Sequence, residues 1–283
     1  MLTDEEFRLF RNLIYEESGM YFKESRKDFL ESRLMKRMQA TKTATPYWYY
    51  RLVTESRKAE LLAFLDHLTI NETSFFRNPP QIELFENVIL PGVAARKREE
   101  KRKQLRIWSA GCSTGEEPYT IAMLILENGS LHGWDIEIIG SDINQRVLTA
   151  ARRGIYRKNS FRSTEPYLAD KYFREEEDGV YMISDRVKQL VSFCHLNLLD
   201  PCKARFIGQV DVVFCRNVLI YFDYEARKKV VDNFYDRLSD GGYLLLGHAE
   251  SLMNISTSFA LVHLKHDIVY SKPANRGACV HVK

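Results

Sequence analysis

The 283-residue sequence has few cysteines, prolines and glycines: five, eight and fourteen. Five is an odd number and no C-x-x-C pair occurs, which favours free thiols in a reducing compartment over a disulfide framework. No run approaches the roughly 18 to 20 apolar residues of a membrane span, so we expect no membrane insertion. The N-terminal residues MLTDEEFRLF are acidic where a secretory signal is basic, which predicts a cytoplasmic protein.

An excess of either charge is also missing, because 41 basic and 38 acidic residues leave a formal net charge of +3. Because basic and acidic residues nearly balance, the surface as a whole is not basic enough to favour binding of nucleic acid. Histidines and cysteines lack the spacing of a zinc site, and we expect no metal. The hydrophobic content of 45% is ordinary for a globular protein of one large domain or two smaller ones.

Residues 1–75 show helical periodicity and predict an all-α N-terminal domain. Thr3 and Glu6 have the pattern of a capping box, and Gly19 is placed to end the first helix. The second helix is basic on one face, with seven basic and three acidic residues between 23 and 42. This face is either a solvated surface or a docking site for an acidic partner. The residues expected to dock such a partner are Arg26, Arg33, Lys36 and Arg37.

The rest of the chain alternates between short apolar strands and helical segments. Residues 76–104 are predicted to be a linker that ends in the charged run RKREEKRKQ. Residues 105–283 are predicted to form an α/β domain, with helices on both faces of a parallel sheet. Between about 155 and 198, apolar and polar residues alternate as they do in antiparallel strands, which predicts a small inserted sheet.

The first predicted strand of that domain ends in the turn SAGCSTGEEPY, residues 109–119. Gly111 and Gly115 are spaced G-x-x-x-G, unlike the G-x-G-x-x-G of dinucleotide-binding turns. Glu116 and Glu117 would repel a pyrophosphate but tolerate a cationic aminoacyl sulfonium, which favours S-adenosylmethionine over NAD. Acidic residues also stabilise helix N-termini without binding a ligand, and on this turn alone that alternative stays open.

Polar residues follow two further strands, at the edge where parallel sheets bind ligands. Asp142, in GSDIN, is placed to accept both hydroxyls of a ribose. Arg216 and Asn217 begin the segment RNVLIYF, and core packing does not explain polar side chains at a strand end. The D/N-P-P-Y/F and Pro-Cys motifs of base-methylating enzymes are missing, so a nucleic-acid base is a poor candidate substrate. The segment NETSFFR, residues 71–77, is by itself explained as a helix cap and core.

Five motifs occur in one order over nearly the whole chain: NETSFFR, SAGCSTGEEPYTIA, SDIN, CRNVLIYF and GHAES. In these motifs the sequence resembles the CheR-type chemotaxis receptor glutamate methyltransferases. The resemblance implies a Rossmann-like S-adenosylmethionine methyltransferase sheet with a small inserted antiparallel subdomain, preceded by the all-α domain. It also implies transfer of the cofactor's methyl group to glutamate carboxylates on the cytoplasmic helices of chemoreceptors. The products would be glutamyl methyl esters and S-adenosylhomocysteine.

The same resemblance implies the residues of the cofactor site. They are Asn71, Thr73, Arg77, Gly111, Glu117 at the aminoacyl end, Asp142 at the ribose, Asn197 and Leu198 at the adenine, and Arg216, Asn217 and Val218 near the methyl group. Arg77 and Tyr221 are the candidate catalytic residues, expected to orient the acceptor. A glutamate has a pKa of about 4.3, so it is already a nucleophile at neutral pH and needs no general base.

The sequence departs from enterobacterial relatives, which carry a glycine-rich loop that grips a C-terminal receptor pentapeptide by strand addition. The corresponding stretch here is REEEDGVYMISD, with Gly179 alone after acidic residues. We therefore expect methylation that is independent of a pentapeptide tether. Two other functions stay open: methylation of a small acid or another protein, and a non-catalytic module that docks through its basic helix. We expect a monomer, because no coiled coil is visible.

Overall fold

The structure, a computed structural model, describes residues 2–56, 58–264 and 267–274. Its N-terminal part is a helical bundle. The helices are α1 (Asp4–Ser18), α2 (Lys27–Thr41), α3 (Pro46–Arg51) and α4 (Lys58–Leu68). Their apolar faces enclose one core, which includes the fully buried Phe10 and Phe64. The α1 helix begins with the predicted capping box and ends at Gly19, whose φ of +75° lies in the left-handed region.

The remainder of the chain is built on strands. They are β1 (Gln104–Ala110), β2 (Asp135–Asp142), β3 (Ile155–Arg157), β4 (Phe173–Glu177), β5 (Val180–Ile183), β6 (Val191–His195), β7 (Val210–Cys215), β8 (Leu238–Leu246), β9 (Ala260–Leu264) and β10 (Asp267–Ser271). The main sheet has the order β6-β2-β1-β7-β8-β10-β9. Its first five strands run parallel, and β10 and β9 are antiparallel to their neighbours. The predicted α/β class is confirmed.

Helices cover both faces of the main sheet. They are α5 (Pro79–Leu84), α6 (Leu90–Glu99), α7 (Glu116–Glu127), α8 (Gln145–Arg153), α9 (Pro166–Tyr172), α10 (Asp185–Lys188), α11 (Pro201–Ala204) and α12 (Tyr224–Arg237). Because side chains alternate along a strand, Ile107 of β1 packs in the core that includes α7, and Trp108 packs in the core that includes α12. Burial on both faces explains why consecutive residues of the central strands are apolar, as in residues 212–215 of β7.

The segment predicted to be a linker belongs to the core of the sheet. Most of residues 76–104 form α5 and α6, which are joined by a π-helical turn at Phe85–Ile89. Phe85 is fully buried, and its ring centroid lies 5.1 Å from that of Phe214 in β7. Most of the charged run, residues 98–104, is exposed in succession. The apolar residues that precede the charged run therefore decide the structure of this segment. The domain boundaries themselves stay a prediction.

A small antiparallel sheet with the order β3-β5-β4 follows α8, as predicted. It ends earlier than the predicted boundary near residue 198. Strand β6 pairs in parallel with β2 of the main sheet, with Cys194 opposite Ser141. Because β6 is an edge strand and only partly buried, its residues alternate in the way that antiparallel strands do.

Other expectations concern the chain as a whole. Within the described residues, no helix is long and apolar enough to cross a membrane. The cysteines of the described ranges, Cys112, Cys194, Cys202 and Cys215, are free thiols, and Cys279 lies outside those ranges. In the same part of the chain, no group of three or more His, Cys, Asp or Glu side chains is arranged to hold a metal ion.

Candidate functional site

A cavity of about 290 Å³ lies where the parallel strands β1, β2, β6 and β7 end. All of the residues predicted to bind the cofactor or to orient the acceptor line it: Asn71, Thr73, Arg77, Gly111, Glu117, Asp142, Asn197, Leu198, Arg216, Asn217, Val218 and Tyr221. The C-terminal ends of parallel strands meet at one edge of a sheet, which is why residues far apart in sequence gather there.

Asp142, the last residue of β2, holds the turn that follows β1. Its Oδ2 accepts a hydrogen bond from the backbone N–H of Ser113 at 2.9 Å, and its Oδ1 accepts one from Asn144 at 2.8 Å. Burial raises the pKa of Asp142, and these backbone donors oppose the rise because they stabilise the carboxylate. Each oxygen keeps a second lone pair, so the carboxylate can still accept from hydroxyl groups of a ligand.

The two glutamates at the start of α7 have different environments. Glu117 lines the cavity, where its Oε1 accepts from the hydroxyl of Ser109 at 2.7 Å. Glu116 is buried beside it and accepts from the hydroxyls of Thr114 at 2.6 Å and Ser160 at 3.1 Å. Burial raises the pKa of Glu116. The carboxylate that faces a ligand is therefore Glu117, and Glu116 joins the turn to the segment before α9.

Arg216 connects Glu117 to the NETSFFR segment. Its Nη1 lies 3.3 Å from Oε2 of Glu117, and its Nη2 donates to the carbonyl oxygen of Arg77 at 2.6 Å. The Arg216 and Glu117 side chains are 5% and 14% exposed, so water screens this pair little. The Nε of Arg216 is buried and has no hydrogen-bond partner among the described residues.

Two turns meet at Gly111, which follows β1 with a φ of +79°. A Cβ at this position would lie 2.4 Å from Cγ2 of Val218 in the turn after β7. Only glycine satisfies both the backbone conformation and the close approach. Gly111 therefore brings the two turns into contact at the wall of the cavity.

The rim of the cavity carries the two candidate catalytic residues. The half-buried Arg77 donates through Nη1 to the carbonyl oxygen of Glu72 at 2.8 Å. The hydroxyl of Tyr221 donates to the carbonyl oxygen of Ile70 at 3.3 Å. Burial raises the pKa of Tyr221, so this hydroxyl stays protonated and remains a donor at neutral pH. The rim thus presents a permanent cation and a neutral hydrogen-bond donor.

The N-terminal helices close the cavity from one side. Ser18, Met20 and Ile70 line it, and the backbone N–H of Tyr21 donates to the carbonyl oxygen of Tyr221 at 2.9 Å. Sequence reasoning missed these residues because no local motif marks them. The SDIN motif does contain a residue that links the two parts of the chain. The side-chain amide of its Asn144 donates at 2.7 Å to the hydroxyl of Thr69, just after α4.

Asn197 forms a further contact between the two parts of the chain. Its Nδ2 donates to the carbonyl oxygen of Glu17 at 3.0 Å, and its Oδ1 accepts from the backbone N–H of Leu199 at 3.0 Å. Both ends of the amide therefore have partners within the protein. This side chain holds α1 to the cavity wall.

The basic face of α2 is smaller than predicted. Arg26 and Lys36 are exposed, and the guanidinium of Arg33 lies 5.0 Å from the ring centroid of Phe29. Arg37, which was predicted to dock a partner, is engaged inside the protein instead. It forms two hydrogen bonds with Glu60, at 2.7 and 3.0 Å, and its side chain is 13% exposed. A buried carboxylate such as Glu60 needs a cation, and Arg37 provides it.

Comparison with known proteins identifies the family. Residues 71–268 match the family model described as CheR methyltransferase, SAM binding domain, and residues 5–69 match CheR methyltransferase, all-alpha domain. The chain belongs to the CheR methyltransferase family. It is 37% identical to chemotaxis protein methyltransferase 2 of Vibrio cholerae, over 96% of this chain and 94% of that relative. It is 34% identical to the chemotaxis protein methyltransferase of Borreliella burgdorferi, over 89% of each chain, and 33% identical to that of Escherichia coli, over 92% of this chain and 89% of the relative.

As a member of the CheR family, the chain is an S-adenosylmethionine-dependent methyltransferase, and the predicted family and cofactor are confirmed. The side chains of the cavity fit this cofactor. Glu117 would supply negative charge for a cationic aminoacyl end, and Asp142 would supply acceptors for ribose hydroxyls. Leu196 and Leu198 give the cavity an apolar wall for a base. When bound, the cofactor supplies an electrophilic methyl group on a sulfonium.

Proposed function

We propose that the protein transfers a methyl group from S-adenosylmethionine to glutamate side chains on the cytoplasmic helices of chemoreceptors. The observation that carries this proposal is the rim, where Arg77 and the Tyr221 hydroxyl adjoin a cavity whose inner carboxylates are Glu117 and Asp142. A cation and a hydrogen-bond donor suit an acceptor that is itself an anion. The names of the relatives, all chemotaxis protein methyltransferases, support the chemoreceptor as that acceptor.

The reaction requires the protein to position the acceptor carboxylate relative to the methyl group. A glutamate with a pKa of about 4.3 is ionised at neutral pH, so no residue has to remove a proton from it. Arg77 binds the acceptor carboxylate, and Tyr221 exchanges its long bond to the carbonyl oxygen of Ile70 for a bond to this stronger, anionic acceptor. Together they aim one oxygen at the methyl group. Fixed orientation of two reacting groups lowers the barrier by several kcal/mol. Arg216 keeps Arg77 in place, because it holds the Arg77 carbonyl oxygen at 2.6 Å.

Arg26, Arg33 and Lys36 are proposed to guide acidic receptor helices to this rim. Arg26 and Lys36 are exposed, so these residues form a basic face that a partner can reach. Such a face increases the rate of encounter with a glutamate-rich helix, and salt weakens it. Because the acceptor helices are cytoplasmic, the protein is proposed to be cytoplasmic as well. A monomer stays a prediction.

We also propose that the protein does not tether to a C-terminal receptor pentapeptide. The edge strand β4 carries Glu175, Glu176 and Glu177, and Gly179 alone supplies a glycine in the turn to β5. A peptide that ends in a carboxylate would meet like charge along this edge. Calorimetric titration of such a pentapeptide should show no binding, and a micromolar affinity would contradict the proposal.

The test of function is methyl transfer from radiolabelled S-adenosylmethionine to membranes that contain chemoreceptors. We expect label that alkali releases as methanol, and loss of that label when the receptor glutamates are replaced by alanine. If receptors stay unlabelled while a small acid or another protein is labelled, that molecule is the methyl acceptor. A protein that binds the cofactor but labels nothing in any fraction would be a docking module.

A further inference from the structure

The GHAES motif, residues 247–251, follows β8 and contacts the turn after β7, which forms part of the cavity wall. The Oε2 of Glu250 accepts from the backbone N–H of Asn217 at 2.7 Å and from that of Gly247 at 2.7 Å. Its Oε1 accepts from the backbone N–H of Ile220 at 3.3 Å. One carboxylate thus binds three backbone donors from two segments, the turn after β7 and the end of β8. Hydrogen bonds to an ionised acceptor are among the stronger ones in proteins.

The turn that Glu250 holds has a backbone conformation that needs support. Asn217 has a φ of +60°, in the left-handed region, which is unfavourable for residues with a side chain although asparagine tolerates it better than most. Such a conformation persists when surrounding contacts determine it. The same turn carries Asn217, Val218 and Tyr221 to the cavity. A change in its backbone would move all three side chains.

Gly247 allows the close contact between the end of β8 and the turn after β7. A Cβ at this position would lie 2.7 Å from the backbone nitrogen of Asn217 and 2.7 Å from Oε2 of Glu250. Backbone atoms cannot move aside as the end of a flexible side chain does, so any larger residue would push the turn away. The glycine and the glutamate of the motif therefore have one joint effect, which is to bring β8 against the turn after β7.

We propose that Glu250 is a positioning residue for methyl transfer. It does not line the cavity, and it acts through Asn217 on the cofactor side and through Tyr221 on the acceptor side. Its effect on cofactor affinity is independent of the acceptor, whereas its effect on turnover of receptor glutamates rests on the proposed function. Glu250 should therefore alter two separate kinetic quantities.

The experiment compares Glu250→Ala, Glu250→Gln, Gly247→Ala and a control, Glu225→Ala, which removes an exposed glutamate from α12. Calorimetry gives the Kd for S-adenosylmethionine, and receptor methylation gives kcat. Loss of a charged hydrogen bond is worth about tenfold or more, so Glu250→Ala should raise Kd and lower kcat by roughly that factor each. Glu250→Gln keeps one oxygen for Asn217 and Gly247 and should recover part of both. Gly247→Ala should resemble Glu250→Ala, and Glu225→Ala should resemble the parent protein.

Unchanged Kd and kcat in a folded Glu250→Ala protein, with only a lower melting temperature, would overturn the proposal. If Glu250→Ala does not fold, the isosteric Glu250→Gln carries the test, and parental values of both constants in it would overturn the proposal equally. If the parent protein binds the cofactor but labels no receptor, the proposed function fails. The Kd of the variants still decides the role of Glu250 in that case.

Discussion

The two edges of the parallel sheet both carry charged depressions, yet their charges are arranged differently. At the edge where β1 and β7 begin, a groove of about 830 Å³ contains Arg96, Lys97, Arg106 and Asp211. Asp211 lies 2.7 Å from the ammonium of Lys97, and the Nε of Arg106 lies 2.6 Å from Glu137. These charges are paired within the protein, and the groove is a structural network in spite of its size.

At the opposite edge, the cavity of about 290 Å³ leaves charges available. Asp142 is held by backbone N–H groups, and Arg77 is held by a carbonyl oxygen. Neither forms an ion pair within the described ranges. Neutral partners fix the direction of a charged group without neutralising its charge. The cavity also contains the ion pair of Glu117 and Arg216, but Asp142 and Arg77 remain oriented and unpaired. The comparison teaches that such unpaired charges mark a site, and that neither size nor charge count is enough.

The largest effect is expected from breaking the paired edge. Asp211→Asn leaves the nearly buried Lys97 without its carboxylate and takes one of two carboxylates from Arg96, which should lower the free energy of unfolding by about 3 to 5 kcal/mol. The affinity of the folded protein for S-adenosylmethionine should not change. Denaturant unfolding and calorimetric titration measure the two quantities. A large loss of cofactor affinity with parental stability would show that the groove belongs to the binding site.

The converse change at the other edge is Asp142→Asn. The proposed ribose acceptor loses its charge while the amide oxygen keeps a bond to one backbone N–H, so we expect cofactor affinity to fall by about 1.5 to 3 kcal/mol. Stability should change much less than in Asp211→Asn. Asp240→Asn, a half-exposed aspartate of the paired edge, is the control and should leave the affinity at the parental value. An unaltered Kd in Asp142→Asn would remove Asp142 from the cofactor site.

The sequence predicts a site residue when a neighbouring sequence feature marks it, and fails when a distant contact places it. The glycine turn, Asp142 and Arg216 directly follow strands, and the ends of parallel strands share an edge, so this part of the site was predictable. Arg37 was not, because its partner Glu60 lies 23 residues away and nothing local shows that Glu60 is buried. Ser18 and Met20 reach the cavity through contacts such as the bridge between Met20 and Phe222, which join distant parts of the chain.

The fold shows the same limit. The helices of the N-terminal part and the central strands follow from periodicity, which is a local property. Strand β6 was assigned to the inserted sheet because an edge strand alternates like an antiparallel one. The predicted linker, residues 76–104, ends in a charged run, yet Phe85 and Val93 within it are buried in the core of the sheet. In each case the structure departs from the local pattern where a tertiary neighbour decides it.

A smaller effect is expected at the rim. Arg77→Ala removes the unpaired cation that is proposed to orient the acceptor, so kcat should fall roughly tenfold, the effect of one lost charged hydrogen bond. The fold should remain, because Arg216 binds the backbone carbonyl of residue 77 and not its side chain. Arg102→Ala, an exposed arginine of the paired edge, is the matched control. Parental kinetics in a folded Arg77→Ala protein would exclude Arg77 from the site.

The smallest effect concerns the exposed basic face of α2, where solvent screens each charge. Lys36→Ala should raise KM for receptors a fewfold at low ionic strength, since one exposed charge contributes at most about 1 kcal/mol. The difference from the parent protein should vanish as salt shortens the Debye length below about 10 Å. Lys103→Ala removes an equally exposed lysine from the other edge of the sheet and should leave KM unchanged at every salt concentration. Equal effects of the two lysines would mean that net charge attracts the receptor. A difference confined to Lys36 would mean that the basic face of α2 orients the receptor at the rim.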